Sequence, residues 1–537
     1  MSRLFALLAP IALAAVTHFA TTSCKRAPAA PSGPPTTPTL RVFVVTSLAG
    51  ALEPCGCVKD MLGGIDHAAA LTRAKRDSAS STLFVGAGPT LFIDPALKDD
   101  QRTQTMWKAE AIAESLRDMG LSAWAPGAND WAAGAAELDR LRRTAGAALL
   151  AANLAGQSGG AQSVKVVEAG GHKVGIVGVS LPLQSGVAPA GVEVMDAKTA
   201  LEEARKSLDA QGAQIRIALV AMPRGEALRL IETVGGFQLL VVGKPVDRGE
   251  VNDGPVPPAV LGETLVVQTP NHLQGVAIVD LFVRGDDVRF KDGSGLAEAE
   301  KRDNLRRRLG DLDRLIAEAE KPGSAVRAED LAARRKDREA LRRELEQHKA
   351  PEVPAEGSFF RYELAEVRES LGEDAAVAAR LKAYYKRVND HNKTAFADRR
   401  PAPVAEGKSG YLGAEKCVNC HGEEHKFWSS TPHATAYAPL ERQDKQFNLD
   451  CVGCHVTGYD KPGGSTVTHV EGLKNIQCEV CHGPSSRHAD SPNDKSLIIR
   501  APAKTFCATE CHHPPHVGSD WKVEHAWPRI IGPGHGM

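Results

Sequence analysis

Four closely spaced cysteine pairs, each followed at once by a histidine, lie within the last 130 residues of this 537-residue chain. The same stretch holds eight of the eleven cysteines and twelve of the eighteen histidines. The paired cysteines are Cys417, Cys420, Cys451, Cys454, Cys478, Cys481, Cys507 and Cys511, and the histidines that follow them are His421, His455, His482 and His512. Cysteine and histidine enriched together favour a metal or haem site over a disulfide-stabilised fold.

The first three pairs match the pattern C-x-x-C-H, which is typical of c-type haem attachment. Two thiols at this spacing can each add to a vinyl group of one haem, and the adjacent histidine can then bind the iron. The fourth segment, Cys507–His512, has one additional residue between its cysteines, and we expect it to be a variant C-x-x-x-C-H attachment site. The sequence therefore predicts four haem c groups.

Two other kinds of site also use closely spaced cysteines. Structural zinc sites contain C-x-x-C pairs, and exported proteins use paired cysteines in disulfides. Neither requires a histidine directly after every pair, whereas haem attachment does. Haem is therefore the favoured interpretation.

The second axial ligands of the irons are less constrained. The only methionine in residues 408–537 is Met537, so His/His ligation or an open iron face is favoured over His/Met ligation. We expect His433, twelve residues beyond His421, to bind the iron of a neighbouring haem. The histidines that remain as candidates are His425, His433, His469, His488, His513, His516, His525 and His535.

These motifs and the residues around them resemble the tetrahaem cytochromes of the cytochrome c-554 type. The matching residues are the first motif with Trp428 and Ser429–His433, the second motif with Thr457-Gly458-Tyr459, and the third motif with Gly483-Pro484 and His488. The resemblance covers residues 410–537 and implies a small, mostly helical domain whose core is largely the stacked haems. Carried over by motif, it implies that the distal ligands are His433, His488, His469 and His535.

Residues 41–295 show a different, α/β pattern. Short runs rich in valine, isoleucine and leucine alternate with alanine-rich amphipathic stretches, as expected for strands between helices. The predicted strands are Arg41–Val45, Thr82–Val85, Ala147–Leu150, Val164–Val177, Ile215–Val220, Gln238–Val242, Thr264–Gln268 and Val276–Val283. We expect a layered α/β domain here.

The segment Thr46–Pro54 resembles the opening strand and loop of 5′-nucleotidase-type metallophosphoesterases, and the resemblance extends over residues 41–295. It implies a layered fold around two metal ions bound by Asp, His and Asn. At the ligand positions of that family this chain has Ser47, Ala49, Gly88-Pro89, Gly127-Ala128-Asn129-Asp130, Ala221-Met222 and Gly243-Lys244-Pro245-Val246. Ser, Ala, Pro and Met cannot replace these ligands, so we expect a catalytically degenerate domain that serves as a scaffold or docking surface.

Cys55-Gly56-Cys57 follows the first predicted strand of this domain. Paired thiols at such a loop could bind a soft metal, form a redox-active disulfide or dock against the haem domain. A structural disulfide or two unreactive thiols are the alternatives, and the sequence leaves all of them open.

Residues 296–350 are dominated by charge, with 28 charged side chains among the 54 residues 296–349. Leu305, Leu309, Leu312 and Ile316 recur at coiled-coil spacing, and Pro322-Gly323 interrupts the pattern near its middle. We therefore expect two antiparallel helices that act as a spacer or docking arm. Residues 351–409 are predicted to form a strand, a helix and a linker to residues 410–537.

The chain opens with Met-Ser-Arg and the apolar run Leu4–Val16, the charged and apolar regions of a secretory signal. We expect residues 1–23 to be a signal peptide and the proline-rich residues 24–40 an extended tether. The features around Cys24 resemble a bacterial lipoprotein signal, and lipidation of Cys24 or simple cleavage and release are both open. The sequence thus predicts an exported protein, either periplasmic or membrane-anchored by an N-terminal lipid.

The balance of charge excludes one class of function. With 65 basic and 66 acidic residues the formal net charge is −1, so there is no net basic field to attract nucleic acid. We expect an exported multihaem c-type cytochrome that exchanges electrons with redox partner proteins, and we assign no catalytic residue. The alternatives are a haem enzyme acting on a small nitrogen or oxygen species at an open haem, and a 5′-nucleotidase-like hydrolase with a rebuilt site.

Overall fold

The computed structural model describes residues 37–54, 61–183, 186–247, 252–321, 327–347, 353–513 and 521–532, which belong to one compact unit. The predicted signal peptide, the tether as far as residue 36 and Cys24 lie outside the described residues, and so do Cys55, Cys57 and His535. Among the helices that are described, none is both long and apolar enough to cross a membrane.

Strands and helices alternate through the first part of the chain. The strands of the described residues are β1 (Leu40–Thr46), β2 (Thr82–Gly88), β3 (Leu121–Pro126), β4 (Ala148–Leu149), β5 (Leu154–Gly156), β6 (Val164–Ala169), β7 (His172–Ser180), β8 (Val192–Val194), β9 (Ile215–Ala221), β10 (Leu239–Gly243), β11 (Ala259–Leu261), β12 (Thr264–Val267), β13 (Gly275–Phe282), β14 (Lys291–Asp292) and β15 (Phe359–Glu366). The helices are α1 (Ile65–Arg76), α2 (Arg102–Asp118), α3 (Ala135–Ala145), α4 (Ala197–Ala210), α5 (Arg224–Val234), α6 (Leu296–Ala319), α7 (Ala328–Gln347), α8 (Ala375–Ala395), α9 (Gly422–Ser429), α10 (Ala438–Arg442), α11 (Cys478–His482), α12 (Ser486–Asp490), α13 (Thr505–Glu510) and α14 (Val523–Ala526).

Two large sheets face each other in the front part of the molecule. The first has the order β14-β15-β13-β1-β2-β3-β4, and the second has the order β11-β12-β10-β9-β7-β6. Strands β1 to β4 are parallel neighbours, and β13 runs antiparallel to both β1 and β15. A separate pair is formed by β5 and β8.

Alternating side chains of each strand serve two different cores. In β1, Val42 and Val44 belong to the apolar cluster between the sheets, together with Ile217 of β9. Phe43 of the same strand belongs instead to a cluster with Ile112 of α2. The outer face of the second sheet packs in the same way against α4 and α5. The four layers are therefore helices, sheet, sheet and helices, and the expected layered α/β architecture is confirmed.

The predicted single strand Val164–Val177 is wrong, because the chain turns back within it. Strands β6 and β7 pair antiparallel with Ala169 opposite His172, and Gly170 and Gly171 between them have φ values of 61° and 78°. A two-residue hairpin turn often needs positive φ at both positions, which glycine adopts without strain. The sequence prediction also missed β3, whose alanine-rich segment is buried between β2 and β4.

The charged segment forms the expected pair of helices. On α6 the side chains of Leu305 and Ile316 are each only 3% exposed. Glu320, directly after α6, pairs with Arg335 of α7 at 2.6 Å, and Asp313 of α6 lies 3.7 Å from Arg342 of α7. These pairings require the two helices to run antiparallel. The hairpin leaves the first sheet between β14 and β15.

The strand and helix that follow the hairpin complete the front layers. β15 pairs along its whole length with β13. Helix α8 contributes Val377, Leu381 and Val388 to the same cluster as α2. This segment therefore belongs to the packed layers and carries the chain directly to residue 410.

Residues 410–532 contain short helices around a small apolar cluster of their own. It consists of Tyr437, Leu440, Val452, Val456, Val467 and Val470. This cluster is small for a segment of this length, because a domain of about 120 residues normally buries a far larger apolar core. The expected small, mostly helical domain is confirmed.

Candidate functional site

Each cysteine–histidine motif is placed on a single tight turn. In the first motif the His421 N–H donates to the Cys417 carbonyl at 2.9 Å, and in the fourth the His512 N–H donates to the Cys507 carbonyl at 2.8 Å. The fourth motif accommodates its additional residue in a wider turn. His512 still donates its N–H to the carbonyl of the first cysteine, as His421 does in the first motif. The third motif is helix α11 itself.

The four motifs lie beside one another in two pairs. The Cys417 thiol forms a hydrogen bond with Cys478 of the third motif, and this bond and burial raise the pKa of Cys417. The Cys511 thiol forms the same contact with Cys454 of the second motif, which together with burial raises the pKa of Cys511. The fold therefore gathers motifs that are up to about 60 residues apart in sequence.

In two places the rings of two histidines lie close to each other. The ring centres of His421 and His488 are 6.4 Å apart, and those of His433 and His512 are 6.2 Å apart. Two imidazoles that bind one metal ion from opposite sides, each through a bond of about 2 Å, have ring centres about 6 Å apart. Both measured separations are close to this value.

Other histidines of the site have one ring nitrogen held by the backbone. His455 Nδ1 contacts the Ala436 carbonyl, and His482 Nδ1 lies 2.7 Å from the Ile499 carbonyl. Such bonds hold the ring so that Nε2 is available to a metal. His469 Nδ1 lies 3.1 Å from the Thr468 hydroxyl, and the structure does not bring His469 into either ring pair.

Burial keeps several of these rings uncharged. It lowers the pKa of His433, His455 and His512, and the neighbouring His512 lowers that of His433 further. A neutral imidazole is the form that binds a metal ion. His488 Nδ1 is buried without a hydrogen-bond partner among the described residues.

One residue that sequence reasoning missed is Glu479, inside the third motif. Its carboxylate is buried and accepts the Leu412 and Gly413 N–H groups at 2.9 and 2.8 Å. It also accepts the N–H of Ser485 at 2.9 Å and its hydroxyl at 2.6 Å. This carboxylate ties the third motif to the segment that leads into the first. The charge between two cysteines was the only signal in the sequence.

Ser47, Asn129 and Lys244 lie just beyond the carboxyl ends of the parallel strands β1, β3 and β10. Here the Ser47 hydroxyl donates to the Lys244 carbonyl at 2.8 Å, and the Lys244 ammonium lies 3.1 Å from Asp253. The Asn129 amide donates to the Ile93 carbonyl at 2.8 Å. These side chains bind one another and the backbone. Within the described residues no group of three His, Cys, Asp or Glu side chains is arranged to hold a metal ion.

Asp130 at this edge is fully buried and holds two loops together. Its carboxylate accepts the N–H groups of Thr90 at 2.9 Å, Leu91 at 2.8 Å and Gly127 at 3.1 Å. Burial nevertheless outweighs these bonds and raises the pKa of Asp130 from 3.8 to about 6.

We expect the stability contribution of Asp130 to fall as the pH rises. The folded state holds this proton more tightly than the unfolded chain, so the group favours folding below about pH 4 and loses that contribution as the pH rises through about 6. The free energy of unfolding of the parent, relative to the Asp130→Asn variant, should therefore decrease by roughly 2–3 kcal/mol between about pH 4 and pH 7. Urea unfolding of both proteins over this pH range measures the difference, and a constant difference would contradict the raised pKa.

The carboxyl-terminal motifs match a known family of cytochromes. Residues 416–483 match the family described as cytochrome c554 and c-prime. Cytochrome c-554 of Nitrosomonas europaea is 34% identical in a 90-residue match that covers 14% of this chain and 38% of that protein. The chain thus spans well under half of the length of that relative. The fourth motif lies beyond the end of the family match.

The described layers are similar in outline to solved phosphoesterase-fold structures. A 5′-nucleotidase precursor from Thermus thermophilus has 17% identity and a TM-score of 0.44, covering 74% of this chain and 67% of that one. The sulfate thiohydrolase SoxB of the same organism, solved with glycerol, has 14% identity and a TM-score of 0.44, covering 67% and 62%. The firmer match is that of the first three cysteine–histidine motifs, and the chain therefore carries a domain of the cytochrome c554 and c-prime family near its carboxyl end.

Proposed function

We propose that this protein is an exported multihaem c-type cytochrome that transfers electrons between redox partner proteins. The observation that carries the proposal is the spacing of the two histidine ring pairs, 6.4 and 6.2 Å between centres, each with one member that directly follows a cysteine pair. When bound, haem iron supplies the one-electron chemistry, and the protein supplies its ligands and surroundings. The family match of residues 416–483 supports the same conclusion.

Each group of residues has a distinct task in this proposal. The eight cysteines of the motifs hold four haems through thioether bonds, and His421, His455, His482 and His512 bind the irons from the attachment side. His488 completes the ligation opposite His421, and His433 completes it opposite His512. His469 and His535 are proposed for the remaining irons. Buried side chains such as Val452 and Val456 exclude water from this interior.

The front domain is proposed to have lost hydrolysis and to act as a scaffold or docking surface. The contact of Ser47 with Lys244 and the ion pair of Lys244 with Asp253 support this, because these side chains occupy the place of metal ligands. We propose the division of the chain into residues 1–23, 24–40, 41–295, 296–350, 351–409 and 410–537. Lipidation of Cys24 and a redox or metal-binding role for Cys55 and Cys57 belong to the same proposal.

The number of haems is the direct test. Full-length protein produced with a cytochrome c maturation system should have an intact mass that exceeds the processed polypeptide by four haem masses. The double variant Cys507→Ser, Cys511→Ser should lose one of them, because both thioether bonds of the fourth site are gone. Protein produced without the maturation system is the control and should carry none. A mass with three haems would remove the variant site, and zinc in place of haem would contradict the proposed function.

A further inference from the structure

We infer that helices α2 and α8 of the front domain form part of the second haem site, with Gln104 and Asn392 as positioning residues for the motif Cys451–His455. The inference rests on the proposed function, since it assumes that this motif holds a haem. It extends that function by giving the front domain a defined task at one haem rather than a general supporting one.

Three buried amide side chains connect the front domain to the loop before the second motif. Gln104 on α2, Asn392 on α8 and Asn448 in the loop are each 2% exposed. The Gln104 Nε2 group donates to Asn448 Oδ1 at 3.0 Å, and Asn392 Nδ2 donates to Gln104 Oε1 at 3.0 Å. The three side chains thus form one continuous chain of hydrogen bonds from α8 through α2 to the loop.

The same amides also hold the backbone of the loop. Gln104 Oε1 accepts the Leu449 N–H at 3.0 Å, and Asn392 Nδ2 donates to the Phe447 carbonyl at 2.9 Å. The Phe447 N–H in turn donates to Asn389 Oδ1 at 3.2 Å. Because a buried amide that loses its partner is costly, the loop has one favoured position relative to α2 and α8.

Asn448 connects the loop to the second haem motif through hydrogen bonds. Its carbonyl accepts the N–H groups of Cys451 at 3.1 Å and Val452 at 2.9 Å, and its side chain accepts the Asp450 N–H at 2.8 Å. These bonds define the turn on which Cys451 and Cys454 lie. A displacement of Asn448 therefore displaces the attachment cysteines directly.

Two ion pairs flank the amide chain across the same boundary. Lys108 of α2 lies 3.2 Å from Asp450, and Lys445 lies 2.6 Å from Glu53. Both ion pairs join the loop before the second motif to residues of the front domain. Charged side chains of the front domain therefore lie beside the loop before the second motif, and amide side chains of the front domain hold the same loop.

The first and third motifs are anchored differently. The Ala414 N–H before the first motif donates to Gln477, and the Leu412 and Gly413 N–H groups donate to Glu479. Both acceptors belong to the cytochrome domain itself. A change in Gln104 should therefore affect one haem and leave the haems of these two motifs unchanged.

The test compares the full-length, haem-loaded variants Gln104→Leu and Arg380→Gln. Arg380 joins α8 to Glu114 of α2 at 3.0 Å without contacting the loop, so it is a matched control for loosened packing between the two helices. We expect Gln104→Leu to keep its full haem mass, to shift one reduction wave and one EPR signal, and to speed amide exchange at residues 447–452 at least tenfold. The control should show none of these changes, although both variants lower the melting temperature.

The reduction wave that shifts in Gln104→Leu must be that of the haem attached at the second motif, Cys451–His455. The variant Cys451→Ser, Cys454→Ser, which lacks that haem, identifies its wave. Unchanged waves together with unchanged exchange in Gln104→Leu would overturn the inference, and so would equal shifts in the control. Haem-free protein would contradict the proposed function instead. If Gln104→Leu does not fold, Gln104→Glu, which keeps the acceptor for Leu449 but loses the donor to Asn448, should give the same single shift.

Discussion

Replacing His433 with alanine is expected to convert one low-spin iron of the protein to high-spin. The ring of His433 faces that of His512 at 6.2 Å, so its loss removes a strong-field nitrogen donor from one iron only. The reduction potential of that haem should shift upward, because the lost nitrogen donor favours ferric iron. Low-temperature EPR and a redox titration of the full-length variant measure both changes, and the intact mass should still contain every haem.

A histidine outside the site serves as the control for this variant. His67 on α1 contacts the Gly372 carbonyl through Nδ1 at 2.7 Å, so His67→Ala should leave all iron signals as they are in the parent. If His433→Ala also matches the parent in both measurements, His433 is not a ligand. His425, whose Nε2 is buried without a partner among the described residues, and His469 would then be the next candidates.

Replacing Glu479 with alanine should produce the largest loss of stability. The side chain is 2% exposed, and its removal leaves the N–H groups of Leu412, Gly413 and Ser485 without their acceptor in the interior. Hydrogen bonds to a charged group and the burial of unpaired donors together give an expected loss of roughly 3–5 kcal/mol in the free energy of unfolding. Urea unfolding of the haem-loaded protein, followed by circular dichroism, measures this loss.

Glu510 provides a matched comparison, because it too lies between the cysteines of a haem motif. Its side chain is exposed, so Glu510→Ala should change stability little. Equal stability losses in the two variants would show that charge within the motif, rather than the buried hydrogen bonds of Glu479, is responsible. A Glu479→Ala protein as stable as the parent would contradict the role of this carboxylate in joining the first and third motifs.

The features that could be predicted from sequence are those whose chemistry is local. The haem motifs stand out because thioether attachment and the adjacent iron ligand require fixed spacings within five or six residues. The helical hairpin was equally accessible, since the apolar positions Leu305 and Ile316 repeat on one face of a charged segment. The layered front domain followed from alternating strand and helix patterns. The strand prediction for this domain failed at Val164–Val177, because glycines at positive φ reverse the chain direction there.

The features that could not be predicted depend on contacts between distant residues. The ring of His433 lies opposite His512, 79 positions further along the chain, and nothing in the spacing of either selects the other. Glu479 and the amides of Gln104, Asn392 and Asn448 resemble ordinary polar residues in the sequence. Their importance comes from burial, because only in a water-free interior is a missing hydrogen-bond partner costly.

The sequence by itself thus indicated which residues we propose as haem attachment sites, because a covalent bond to a cofactor demands particular side chains at short, fixed intervals. Only the tertiary structure decided which histidine rings lie close together and which front-domain helices contact the loop before the second motif. These contacts depend on the positions of α2, α8 and the loop at Asn448. The packing of the front-domain core and of the small carboxyl-terminal cluster sets those positions, and no local sequence pattern does.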